Sequence, residues 1–198
     1  MLFNKLRKHI SQHVEMTDVE FDIISKAFKV VRYQAKNNIH KKGQVLDFVA
    51  FVNEGCLENF IKIDKKEQVI NFPMEGWWIG DLKGLLKNNP SNISVRTLED
   101  TELLVLDKLY FLELIKSNYK FLLYFLIIVH EAYLQTNEQY AKTLALSAEE
   151  RYDELILNAP NFVNRIPDKY LASYLGVQPP SLSRIKRKKI KKTLNIPL

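Results

Sequence analysis

The chain has a single cysteine, Cys56, in 198 residues. One thiol closes no internal disulfide, and it cannot by itself ligate a structural zinc or an iron–sulfur cluster. A secreted disulfide scaffold is therefore excluded. Long hydrophobic runs are missing too. The longest, Phe121 to Val129, covers nine residues, against the ~20 of a membrane-spanning helix. Met1 to Ile10 is rich in Lys and Arg, yet no apolar stretch or cleavage site of signal-peptide type follows it. A soluble, cytoplasmic protein with no membrane partner is expected. The four histidines, His9, His13, His40 and His130, are dispersed. His9 and His13 are spaced to share a helix face but have no third ligand in view, so they read as surface residues and no metal site is expected. No set of nucleophile, base and orienting group appears either, which argues against an enzyme.

What is present is a core. Apolar residues make up 46% and aromatics 11%, which excludes a wholly disordered chain. The net charge of +6 is unevenly spread: residues 161–198 hold nine Lys/Arg and one acid, Asp168. The remainder is close to neutral. Such asymmetry suggests a polyanion-binding element on a near-neutral body.

Three textures follow one another. Residues 2–28 place apolar side chains at three- and four-residue steps, with Thr17 and Asp18 as helix-cap candidates. Residues 29–107 read as short strands: 29–33, 45–52, 56–63, 67–72, 93–98 and 102–107. Turn signals such as Lys42-Gly43, Asn53-Glu54-Gly55 and Asp64-Lys65-Lys66 separate them. The spacing suggests a small antiparallel barrel or sandwich, interrupted by a short helix over Gly80 to Leu86. Cys56 reads as a packed core residue, and Trp77 and Trp78 as core and rim.

From Lys108 the period becomes helical. Tyr119, Leu123, Leu126, His130, Tyr133, Asn137, Tyr140 and Leu144 alternate steps of four and three. That is a heptad seam, the pattern of a long helix that packs along another. Its polar members His130 and Asn137 favour a dimer interface of set register over an ordinary core helix. Ser147 and Glu150 form a capping pattern for the next helix. Asn158 to Pro167, with two prolines, reads as a link.

The strongest signal is IPDKYLASYLGVQPPSLSRIKR, residues 166–187. Leu171, Ala172 and Leu175 give one face of a short helix, and Gly176 permits a sharp turn. A second helix starts at Pro179-Pro180 and buries Leu182 and Ile185. This is a helix-turn-helix, whose second helix is built to enter a major groove. It is expected to expose Ser181, Ser183, Arg184, Lys186, Arg187 and Lys188. Arg184 is the best candidate for a bidentate guanine contact, worth ~1–3 kcal/mol of discrimination. Seven of the nine residues from Arg184 to Lys192 are basic, which suits phosphate neutralisation.

On these segments, together with Gly43 and Gly55 at turns, WWIGDL at 77–82 and SVRTLEDTELLVLDK at 94–108, the chain resembles the Crp–Fnr superfamily of transcription regulators, especially short, Bacteroidetes-type members. The resemblance implies an α+β fold: an N-terminal cyclic-nucleotide-binding-like antiparallel β-roll, a long central dimerisation helix and a C-terminal helix-turn-helix. It divides the chain into residues 1–118, 119–146 and 147–198. It also implies double-stranded DNA and a second copy of the chain as partners, with RNA polymerase and an unidentified small-molecule effector beyond them.

Family members that bind a cyclic nucleotide place Gly-Glu-Leu at a short helix, with an arginine and a small residue some ten positions later for the phosphate. Gly80, Asp81 and Leu82 keep a carboxylate one methylene shorter, but the arginine position falls at Ser91 or Asn92. A buried phosphate without its guanidinium loses a charge-assisted bidentate pair. Cyclic AMP in the familiar mode is therefore disfavoured, and no cofactor is expected. Thr136 and Asn137 correspond to positions near the nucleotide base, but they read better as polar members of the seam. Pro179 and Pro180 replace the Arg-Glu pair that opens the recognition helix in the best-known members, so the operator does not carry over. No wing hairpin is expected after the helix-turn-helix. The alternative function is a ligand-binding roll whose basic tail binds RNA or an acidic protein partner.

Overall fold

A computed structural model describes residues 2–64 and 66–193, with residues 190–193 as helical backbone. Two helices, α1 (Asn4–Ser11) and α2 (Asp18–Ser25), precede the strands β1 (Lys29–Tyr33), β2 (Asn38–His40), β3 (Phe48–Glu54), β4 (Leu57–Ile63), β5 (Lys66–Asn71) and β6 (Trp78–Gly80). A short helix α3 (Leu82–Lys87) leads to β7 (Ser94–Thr97) and β8 (Thr101–Asp107). Six helices complete the described chain: α4 (Lys108–Ser117), α5 (Tyr119–Ala145), α6 (Ala148–Asn158), α7 (Pro160–Arg165), α8 (Asp168–Tyr174) and α9 (Pro179–Thr193). The fold is α+β, with antiparallel sheets first and helices after. Among the described residues no helix is long and apolar enough to cross a membrane.

The strands form two four-stranded sheets, ordered β1-β8-β3-β6 and β2-β7-β4-β5. In the first, Ala50 faces Val105 and Phe51 faces Leu104 across β3 and β8. Over Phe48–Val52 and Leu103–Leu106 these two strands are apolar at every position because both of their faces are covered. Val49, Phe51, Leu104 and Leu106 join a core with α1, α2, α4 and α5. The alternate residues Ala50, Val52, Leu103 and Val105 join the roll interior with Leu57, Ile79 and Val95. Period-two side chains thus feed two cores at once. At the β3–β4 turn Gly55 has φ +101°, and a Cβ there would lie 2.4 Å from Thr101 Oγ1, so only glycine fits.

Several expectations need correction. β2 lies between the strands read at 29–33 and 45–52 and went unread, as did β6; both are only three residues long. The first long strand begins at Phe48 rather than Val45. The helical stretch from Lys108 is broken at Asn118, whose backbone leaves the helical region and whose Oδ1 accepts from Phe121 N at 3.0 Å to start α5 afresh. The supposed link contains α7: Pro160 occupies its first turn, where the missing amide is no loss, while Val163 and Ile166 are buried. The expected caps form. Thr17 with Glu20, and Ser147 with Glu150, each make the reciprocal capping box.

By packing the chain falls into two compact units, Met1–Ile61 with Asn71–Leu134, and Lys62–Ile70 with Gln135–Leu198. In the first, Phe121 and Tyr124 of α5 are fully buried against the helix-side core, with Leu123, Phe125, Ile127 and Ile128 partly buried beside them, while Leu126 is exposed. In the second, Ser173 of α8 accepts from Val69 N and donates to Glu67 O, both at 3.0 Å. The expected surface histidines lie in the first unit and are half-buried. His9 Nδ1 is 2.8 Å from the Tyr124 hydroxyl, and His13 Nδ1 is 3.6 Å from Glu131.

Candidate functional site

The roll holds a cavity of about 310 Å³. Gly80 ends β6, Asp81 caps α3, and Leu82 opens that helix. Ser91 returns the chain to the same wall: its amide donates to Gln44 O and its carbonyl accepts from Gly43 N, both at 2.8 Å. All five expected roll residues, Gly80, Asp81, Leu82, Ser91 and Asn92, line this one cavity. Thr136 and Asn137 are exposed on α5, in the part of that helix that belongs to the second compact unit described above.

Two residues that the sequence did not single out for this site also face it. His40 is 4% exposed, and its Nε2 has no hydrogen-bond partner among the described residues. Asn59 Oδ1 is likewise buried and unpartnered. Burial holds the His40 imidazole below its ordinary range, against the pull of the Asp81 and Asp47 carboxylates. Asp81 itself is committed: its Oδ1 accepts from Lys83 N at 2.9 Å and Gly84 N at 3.3 Å. Two of the amides that open α3, those of Lys83 and Gly84, are therefore already filled by the chain's own carboxylate.

The helix-turn-helix has a defined geometry. Val177 N donates to Ala172 O at 2.9 Å and Gly176 N to Ser173 O at 3.0 Å, which together make a Schellman cap on α8. Gly176 takes φ +70° to allow it. Arg151 of α6 donates to Leu175 O at 2.8 Å and satisfies a carbonyl that the helix end leaves open. α9 packs through Leu182, fully buried, and through the half-buried Ile185, Lys186 and Lys189.

That packing corrects the expected exposed set. Ser183, Arg184, Arg187 and Lys188 are exposed; Ser181 and Lys186 are half-buried. Lys186 lies one turn on from Leu182 and pairs with Asp168 of α8, while Lys189 pairs with Asp153 of α6. Lys188 is exposed but meets Glu149 at 2.9 Å. Ser183 donates to Pro179 O within its own helix. Arg184 and Arg187 make no ion pair among the described residues and point outward together. Lys191 and Lys192, the end of the basic run, have side chains outside the described residues. So do residues 194–198, on which the expected lack of a wing hairpin bears.

Residues 30–118 match the cyclic nucleotide-binding domain family. No curated protein matches the sequence. Among solved structures, FixK2 from Bradyrhizobium japonicum is similar at 14% identity over 85% of this chain and 86% of its own, with a TM-score of 0.73. CLP of Xanthomonas campestris, a c-di-GMP responsive global regulator, gives 15%, 88%, 92% and 0.69 in the same order. The catabolite activator protein of Thermus thermophilus gives 19%, 93%, 88% and 0.57. At such identities the likeness is one of fold. Residues 30–118 are thus similar to cyclic nucleotide-binding domains. With the helices that follow, the chain shares the fold of these three proteins.

Proposed function

We propose that the chain is a sequence-specific, DNA-binding transcription regulator of Crp–Fnr type. It acts as a homodimer, with residues 1–118 as a sensor roll, 119–146 as the dimerisation helix and 147–198 as the DNA-binding part. The observation that carries this reading is the outward face of α9, where Arg184 and Arg187 stand exposed beside Ser183 with no ion-pair partner among the described residues. Arg184 is assigned to a base edge. Arg187 and Lys188 are assigned to phosphates, whereas Lys186 and Lys189 hold the helix onto α8 and α6. A dimer would present two such helices to half-sites about one helical turn apart, roughly 34 Å. RNA polymerase and a small-molecule effector belong to the same reading as further partners, in the cytoplasm.

Selection of bound duplexes from a random pool tests it, followed by mobility shifts across a salt series. A palindromic consensus is expected. Arg184→Ala should relax one position of that consensus at a cost of ~1–3 kcal/mol. Arg187→Ala should weaken all duplexes alike and lower the salt slope by about 1. Binding to RNA without preference for a palindrome would favour the roll with a basic tail instead.

A further inference from the structure

We infer that the corner between α5 and α6 is braced, not hinged, and that Arg151 is the positioning residue through which the protein selects the spacing of two DNA half-sites. This rests on the reading of a dimeric DNA-binding regulator and names a determinant of its specificity.

The corner is two residues long, Leu146 and Ser147, and both are tied down. Leu146 N donates to Lys142 O at 2.9 Å, which carries the α5 ladder one residue past the end of the helix. Ser147 N donates to Glu150 Oε2 at 2.8 Å, and Glu150 N donates to Ser147 Oγ at 3.3 Å. A hinge is a place where a few residues change φ and ψ at little cost. Here such a change breaks a ladder bond on one side or the capping box on the other.

Side chains then span the corner. Lys142, in the last turn of α5, meets Glu138 at 2.8 Å and Glu154 of α6 at 3.0 Å. Its bonds to these two carboxylates hold the ammonium above the ordinary lysine range. A partly exposed pair of this kind is a weak brace when alone. Arg151 adds more, because it reaches both ways. Its Nη1 donates to Thr143 Oγ1 of α5 at 3.5 Å, and its Nη2 donates to Leu175 O at 2.8 Å in a partly buried, charge-assisted bond. Leu175 caps α8 and immediately precedes the Gly176 turn that aims α9. One guanidinium thus joins α5, α6 and the turn of the helix-turn-helix. Glu149 and Asp153 of α6 take Lys188 and Lys189 of α9, and all these contacts lie within the second compact unit.

A unit tied in this way cannot swing to follow the duplex. One base pair added between half-sites moves the second by about 3.4 Å and turns it by about 35°, since a helical turn holds 10–10.5 pairs. A hinged corner would absorb that shift. A braced one leaves the second recognition helix out of its groove.

The test rebuilds the palindrome selected from the random pool with one base pair added to or removed from its centre, beside a duplex carrying a single half-site. The full-length wild type should lose at least tenfold in affinity on either altered spacing. Arg151→Met should cut that loss to threefold or less, with affinity for the single half-site within twofold of the wild type. A merely structural role would weaken every duplex alike and leave the spacing ratio unchanged. Amide hydrogen exchange of the wild type without DNA reads the corner directly: Leu146 should be protected at least tenfold over an unstructured amide. The inference is overturned when the wild type loses less than tenfold on altered spacing, when Arg151→Met keeps the whole spacing penalty, or when Leu146 exchanges freely. A palindrome bound without regard to spacing removes this inference and leaves the regulator standing, whereas a pool that yields no palindrome removes both.

Discussion

The Tyr124 hydroxyl of α5 lies 2.8 Å from His9 Nδ1 of α1, and it accepts at 2.8 Å from Trp78 Nε1 of β6. A Tyr124 hydroxyl that donates to His9 Nδ1 requires the neutral His9 tautomer with its hydrogen on Nε2. One side chain thereby joins three elements inside the first core.

Tyr124→Phe leaves Trp78 Nε1 and His9 Nδ1 without this partner. The expected loss is about 1–3 kcal/mol of unfolding free energy, measured by urea denaturation. Burial, followed by the neighbouring His13, holds His9 below the ordinary histidine range, while Glu131 pulls it upward. Burial shifts His40 in the same direction. The unfolded chain therefore takes up protons that the folded chain refuses. Stability should be full above about pH 6.5 and decline as the pH falls from there towards the folded values. Thermal unfolding followed between neutral and mildly acidic pH reads this, and a midpoint that rises on acidification would contradict it.

Arg32 of β1 donates to Glu102 Oε2 through Nε at 2.8 Å and is paired through Nη2 at 2.7 Å, while Asn53 Nδ2 donates to Oε1 at 2.7 Å. The carboxylate is buried and the guanidinium largely exposed. Arg32→Ala should cost about 1–3 kcal/mol, below the value for a fully buried pair because water screens the arginine side. Arg32→Ala with Glu102→Gln should recover part of it, since the stranded charge is then gone. A double variant no more stable than Arg32→Ala would mean that the charge was not the cost.

The strands and helices legible in the sequence are those whose own residues decide their burial. β3 and β8 show as unbroken apolar runs because each faces two cores, and Ser147 and Glu150 mark a helix start unaided. β2, β6 and α7 are too short for periodicity, and their burial is set by partners distant in sequence. The roll site was half visible. Gly80 to Leu82, Ser91 and Asn92 follow from resemblance, but His40 and Asn59 meet them only through strand pairing. For α9 the signal was there: Lys186 and Lys189 lie four and seven residues on from Leu182, on the packed face.

Gly176 should tolerate no ordinary side chain, and for one reason. A Cβ there meets nothing within 4 Å, so the penalty is the backbone at φ +70°. Gly176→Ala should cost about 1–2 kcal/mol. Gly176→Asn should cost less, because asparagine visits the left-handed region more readily. Denaturation of the three proteins gives the order directly. Equal losses for both substitutions would show that space, and not φ, is limiting.

The seam of α5 makes the sharpest claim on assembly. Leu126 is 58% exposed, Tyr133 62%, Tyr140 66% and Leu144 72% in the single chain, all at seam positions. A row of large apolar side chains at heptad spacing needs a second helix to cover it. Leu126→Glu, at an exposed site, should change the fold stability of one chain by no more than about 0.5 kcal/mol. In a dimer the same change sets two carboxylates into a desolvated seam, where neither finds a counter-charge. Sedimentation should therefore give a dimer for the wild type and a monomer for Leu126→Glu. Affinity for a palindromic duplex should fall with it, while affinity for a single half-site stays near the wild-type value. A wild type that sediments as a monomer, or a Leu126→Glu variant that stays paired, would place the interface elsewhere.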